Sequence, residues 1–74
     1  MKAKDLRIGM KVVTCDSPTA FVYDVERIAG SMALLVYEAR GRRAIGGEVD
    51  ASILSKPTKE QLENHGTVYE RWQP

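Results

Sequence analysis

The chain is poor in the residues that build covalent or metal-bound frameworks, with one cysteine and one histidine among its 74 residues. A lone Cys15 excludes an internal disulfide, and with only His65 beside it there are too few soft ligands for an intrachain zinc site. No metal is therefore expected, and a reducing compartment fits. Long apolar runs are missing too: nothing approaches the ~20 residues of a membrane span. The opening MKAKDLRIGM lacks the apolar stretch of a signal peptide, so a cytoplasmic protein with no membrane association is expected. Charge of one sign is absent as well. Eleven basic and ten acidic residues leave a net charge of +1, which gives no global pull toward nucleic acid or anionic lipid. Finally, there is no phosphate-cradling glycine loop and no nucleophile with a base at a recognisable spacing, so neither a cofactor nor an enzymatic activity is expected.

What remains is a small folding domain. The composition is 43% hydrophobic and 28% charged, ordinary for a globular chain and unlike a disordered one. At this length a core contributes only ~3–5 kcal/mol net, so self-association is a reasonable route to added stability. The sequence divides into a small β-barrel over 1–57, a short helix over 58–66 and an extended C-terminal tail over 67–74.

The organising stretch is FVYDVERIAGSMALLVYEA, Phe21 to Ala39, two β-prone runs around Gly30-Ser31. A first strand over about Met10 to Cys15 precedes it, with Cys15 expected as a small core residue. Asp16 to Ala20 is a turn by composition, because Pro18 cannot continue a ladder. Ile28 falls out of phase with Val25, which predicts a bulge near Glu26-Arg27. Two registers are open. A two-residue Gly30-Ser31 loop sets Val25 opposite Val36, whereas a three-residue loop through Ala29 sets it opposite Leu35. The second is favoured, since it gathers Tyr23, Val25, Leu35 and Tyr37 on one face. Met32, Leu34 and Val36 then fall on the other face, where the tail, a second chain or a ligand must cover them.

Beyond Ala39 lies a basic loop, Arg40-Gly41-Arg42-Arg43. Ala44 to Val49 is a weaker strand whose adjacent glycines suit a sharp bend or a close backbone approach. Asp50 can cap a single helical turn before a last short strand at Ile53-Leu54. Thr58 followed at three residues by Gln61 has the form of a capping box, starting a helix that runs from Lys59 to His65 and stops at Gly66. Thr67 to Trp72 alternates like a strand and is expected to dock on its own domain or on a neighbour.

Three groups of residues carry this organisation: Leu6-x-x-Gly9-x-x-Val12, Tyr23-x-Val25-x-x-Ile28-x-Gly30, and Glu48-Val49-Asp50-x-x-Ile53-Leu54. Over Leu6 to Lys56 the pattern resembles the small barrel of the Src-homology-3 type, especially Tudor-like and KOW-like modules. The resemblance implies an all-β fold, a small five-stranded SH3-like barrel followed by a short C-terminal helix and extended tail. In Tudor domains an aromatic cage holds a methylated cation, and Tyr23 and Tyr37 are the residues at matching positions. KOW modules bind nucleic acid or ribosomal partners through loops, for which the arginine loop is the counterpart. Plasmid-borne dihydrofolate reductases share the small-barrel architecture, but their Val-Gln-Ile-Tyr active-site strand has no counterpart here.

The expected function is a non-enzymatic module that binds protein, itself included, through Met32, Leu34 and Val36 with Val68, Tyr69 and Trp72 of the tail. The alternative is nucleic-acid binding through Arg40, Arg42 and Arg43, with Lys4, Arg7 or Lys11 extending the patch; the loop has no aromatic or amide side chains interleaved for base readout. Asp24, Glu26, Glu38 and Glu48 read as solvated strand carboxylates rather than an acid–base pair, and His65 as a cation at a helix end.

Overall fold

The computed structural model of the protein describes residues 1–39 and 41–64. Arg40, His65 and the tail residues Val68, Tyr69 and Trp72 lie outside that range. The described chain is mostly β: four antiparallel strands in one open sheet, in sequence order, with a short helix. They are β1 (Lys11–Val12), β2 (Tyr23–Ala29), β3 (Met32–Ala39) and β4 (Arg42–Asp50). Single 3-10 turns lie at Ala3–Asp5 and Ala51–Ile53, and a helix α1 occupies residues 59–64. A fifth strand is reduced to one bridge, Val13 with Ser55, in which each backbone amide donates to the other carbonyl.

The central hairpin reaches the expected register by a different route. Ala29 pairs with Met32, so the loop is the two-residue Gly30-Ser31, with Gly30 at φ 62°. Yet Val25 lies opposite Leu35, because the register shifts between Val25 and Arg27. The bulge expected at Glu26-Arg27 inserts one residue into β2 and so has the same effect on register as one more residue in the loop. A second shift, between Leu35 and Val36, falls opposite Gly46 on β4. A Cβ on Gly46 would stand 2.6 Å from Cε1 of Tyr23, so the glycine lets that ring lie against the strand.

The main core sits on the sheet face that carries Val12, Val25, Ala33 and Leu35, roofed by Leu6, Ala51 and Leu54. Met1, Ala3 and Met10 pack at its border. The turn that supplies Ala51 is fixed as the sequence predicts: the Asp50 carboxylate accepts from the Ser52 amide at 2.9 Å and from the Ser31 hydroxyl at 3.1 Å. Those bonds hold the carboxyl below its ordinary pKa, the Ser52 amide foremost. Because the cap draws Ile53 into the turn, the expected strand at Ile53-Leu54 does not form, and pairing begins and ends at Ser55.

A second, smaller cluster of Val13, Ala20 and Val22 lies beside α1 and its anchor. Thr58 and Gln61 form the capping box: the Thr58 amide donates to Gln61 Oε1 at 2.9 Å, and the Gln61 amide donates to Thr58 Oγ1 at 3.1 Å. Gln61 does more than cap. Its side chain is 1% exposed, and its Nε2 donates to the carbonyls of Cys15 and Ser17 at 3.0 and 2.9 Å. Asn64 Nδ2 adds a bond to the Pro18 carbonyl at 2.9 Å. These contacts seat α1 on the turn between β1 and β2.

Candidate functional site

The outer sheet face can be assembled row by row from the register. Arg27, Leu34 and Glu48 form one row, Lys11, Asp24, Val36 and Ile45 another, with Met32 between Ala29 and Asp50. Arg27 and Glu48 form an ion pair at 3.7 Å, from β2 to β4, and so pass over Leu34 on the strand between them. Arg43 on β4 likewise pairs with Glu26 on β2, across β3. Lys11 pairs with Asp24 at 2.8 Å.

The exposure of this face differs from residue to residue. Of the three apolar residues expected to need an outside cover, Val36 is 4% exposed and Leu34 is half-buried. Only Met32, at 37%, is openly exposed. The apolar residue that protrudes is one that the sequence did not single out: Ile45, 72% exposed, in the middle of β4. Its signal was hidden because Ala44 to Val49 is weakly patterned and the glycines interrupt its alternation.

β4 is also the edge of the sheet. It pairs with β3 on one side, and among the described residues no strand lies along the other. Its basic end, Arg42 and Arg43, and its acidic end, Glu48 and Asp50, flank Ile45.

Arg42 and Arg43 do not lie in an open loop, since they are the first residues of β4. Arg42 is exposed, whereas Arg43 is held by Glu26. The Arg7 guanidinium donates to the Lys4 and Leu6 carbonyls at 2.7 Å. Asp24, Glu26 and Glu48 each face a cation, so no acid–base carboxylate pair forms among them.

On the opposite face, Phe21, Tyr23 and Tyr37 form a cluster of half-buried rings. Phe21 and Tyr37 have centroids 5.8 Å apart, Tyr23 and Tyr37 meet edge-on at 5.7 Å, and Phe21 and Tyr23 lie 6.4 Å apart. Burial raises the Tyr23 phenol above its ordinary pKa, helped by the neighbouring Tyr37 and Cys15. Alternation in the sequence sets Phe21 on the same face as Tyr23 and Val25; its ring contact with Tyr37 of β3 is what the sequence did not show.

Cys15 is exposed, against the expectation of a core position. Regular pairing ends at Val13, so the strand alternation that would have turned the thiol inward does not reach it. It borders an open cavity of ≈ 150 Å³ beside Asp16, Lys56 and Gln61. Among the described residues no cluster of three or more His, Cys, Asp or Glu side chains is placed to hold a metal, and no helix is long and apolar enough to cross a membrane.

No family model matches this chain, and no match is found among curated proteins or solved structures.

Proposed function

We propose that the protein is a non-enzymatic protein-binding module that pairs edge to edge with a second copy of itself along β4. The observation that carries this reading is Ile45, a large apolar side chain 72% exposed at the centre of a nine-residue edge strand. A free edge offers a row of backbone donors and acceptors to another strand. Antiparallel pairing of two β4 strands about a two-fold axis brings the basic end of one toward the acidic end of the other, with Arg43 on the same face as Glu48 and Asp50, a self-complementary arrangement. Met32 and Leu34, on the same face as Ile45, border the contact. In keeping with the sequence motifs, we read the domain as related to the SH3-type barrel, with the single Val13–Ser55 bridge in the place of a fifth strand.

Nucleic-acid binding by Arg40, Arg42 and Arg43 is less well supported, because Arg43 and Lys11 are already engaged by carboxylates. Sedimentation velocity over a concentration series tests the reading. A dimer is expected for the natural chain and a folded monomer for Ile45→Lys. A natural chain that stays monomeric throughout overturns it, and a salt-sensitive mobility shift with single-stranded or duplex oligonucleotides would favour the nucleic-acid reading instead.

A further inference from the structure

Residues 65–74 include Val68, Tyr69 and Trp72, three large apolar side chains within five positions. Where they depart from the domain is fixed: Gln61 holds the Cys15 and Ser17 carbonyls, and Asn64 holds that of Pro18. Phe21 follows Pro18 by three residues, which places it within ~11 Å of that anchor even along a fully extended chain. Tyr69 follows Asn64 by five residues and Trp72 by eight, giving reaches of up to ~17 and ~28 Å. The described residues nearest that departure point in the chain path therefore include Phe21, which itself packs on Tyr37 and Tyr23.

We propose that the ring cluster of Phe21, Tyr23 and Tyr37 is the docking surface for residues 67–72 of the same chain, with Val68, Tyr69 and Trp72 as its apolar contacts. Four considerations favour this occupant. Its tether delivers it beside Phe21 with length to spare. Its side chains match the surface, since aromatic rings add offset or edge-on contacts to the burial of area. Its acidic residue has a partner too, because Arg42, on the cluster's side of β4 by alternation with Ala44 opposite Tyr37, is available to Glu70. Docking in cis also carries a small loss of freedom, because an anchored segment meets its surface at high effective concentration. The proposal does not depend on pairing at β4.

Trp72 is the sole tryptophan, so its fluorescence reports on this segment alone. In the full chain its emission should be blue-shifted and several-fold less accessible to iodide than that of free tryptophan amide, independently of protein concentration. Phe21→Ser and Tyr37→Ser, each checked for retained fold by circular dichroism, should return both properties toward the free values. Solvent-like emission in the natural chain overturns the proposal. So does a blue shift that survives both substitutions in folded variants, or one that grows with concentration and thereby reports contact with a second copy. Where a variant fails to fold, nuclear Overhauser contacts in the natural chain decide: indole protons of Trp72 near the rings of Phe21 or Tyr37 support the docking, and their absence overturns it. Ile45→Lys should leave Trp72 unchanged, so failure at β4 and failure at the ring cluster are read separately.

Discussion

Replacing Gln61 should loosen the domain more than any other single polar substitution in it. Three side-chain hydrogen bonds end on this residue: two donated by Nε2 to the Cys15 and Ser17 carbonyls and one accepted by Oε1 from the Thr58 amide. Gln61→Leu keeps the volume and removes all three. At a net ~1 kcal/mol per bond, reduced because the exposed turn at Cys15 and Ser17 can recover water, the loss is ~2–3 kcal/mol. Set against ~3–5 kcal/mol for a domain of this size, that is about half of the stability. The melting temperature should fall by ~10–20 °C. Thr58→Ala, which removes only the cap, should cost ~1 kcal/mol and separates the two roles of Gln61. Gln61→Glu gives the electrostatic control. Its introduced carboxylate would face two carbonyl oxygens, so the charged form is disfavoured and the folded-state pKa rises above ~4.3. The deficit is then smallest below the unfolded pKa and grows as pH rises through the folded one. Urea denaturation at acid and neutral pH measures both variants. A Gln61→Leu protein within ~0.5 kcal/mol of the natural chain would refute the idea that this side chain seats the helix.

Further perturbations address the sheet. Gly46→Ala puts a Cβ at 2.6 Å from the Tyr23 ring and should cost ~1–3 kcal/mol, with a changed near-ultraviolet tyrosine signal as the ring shifts. Arg27→Ala with Arg43→Ala removes both ion pairs that cross β3; stability should fall by only ~0–1 kcal/mol per pair, less at high salt, while binding of a hydrophobic dye rises as Leu34 and Val36 are uncovered. Asp50→Ala should destabilise at neutral pH but make little difference in strong acid. The lowered pKa of Asp50 means that its contribution is present above the unfolded carboxyl pKa and is lost as pH falls through the folded value, which urea midpoints across that range will show.

Local chemistry was the legible part of this fold. The bulge at Glu26, the Asp50 cap, the capping box at Thr58 and Gln61, and the close approach at the paired glycines each have a signature within a few residues. The register of Val25 with Leu35 was legible too, although a longer loop and a bulge displace a strand equally and the sequence cannot tell them apart. What escaped was non-local. The grip of Gln61 on Cys15 and Ser17 spans more than forty residues. The arginine–glutamate lattice depends on which strands flank β3, and Cys15 faces outward because the ladder stops two residues before it. On the outer face Val36 is 4% exposed, and Ile45, which the sequence did not single out, protrudes where the pattern was weakest.

Amide hydrogen exchange along β4 across a dilution series tests edge pairing most directly. The account predicts that outward-facing amides in residues 44–47 exchange more slowly as concentration rises, that this change vanishes in Ile45→Lys, and that amides bonded to β3 are unaffected. Exchange rates for residues 44–47 that are the same at every concentration would contradict it.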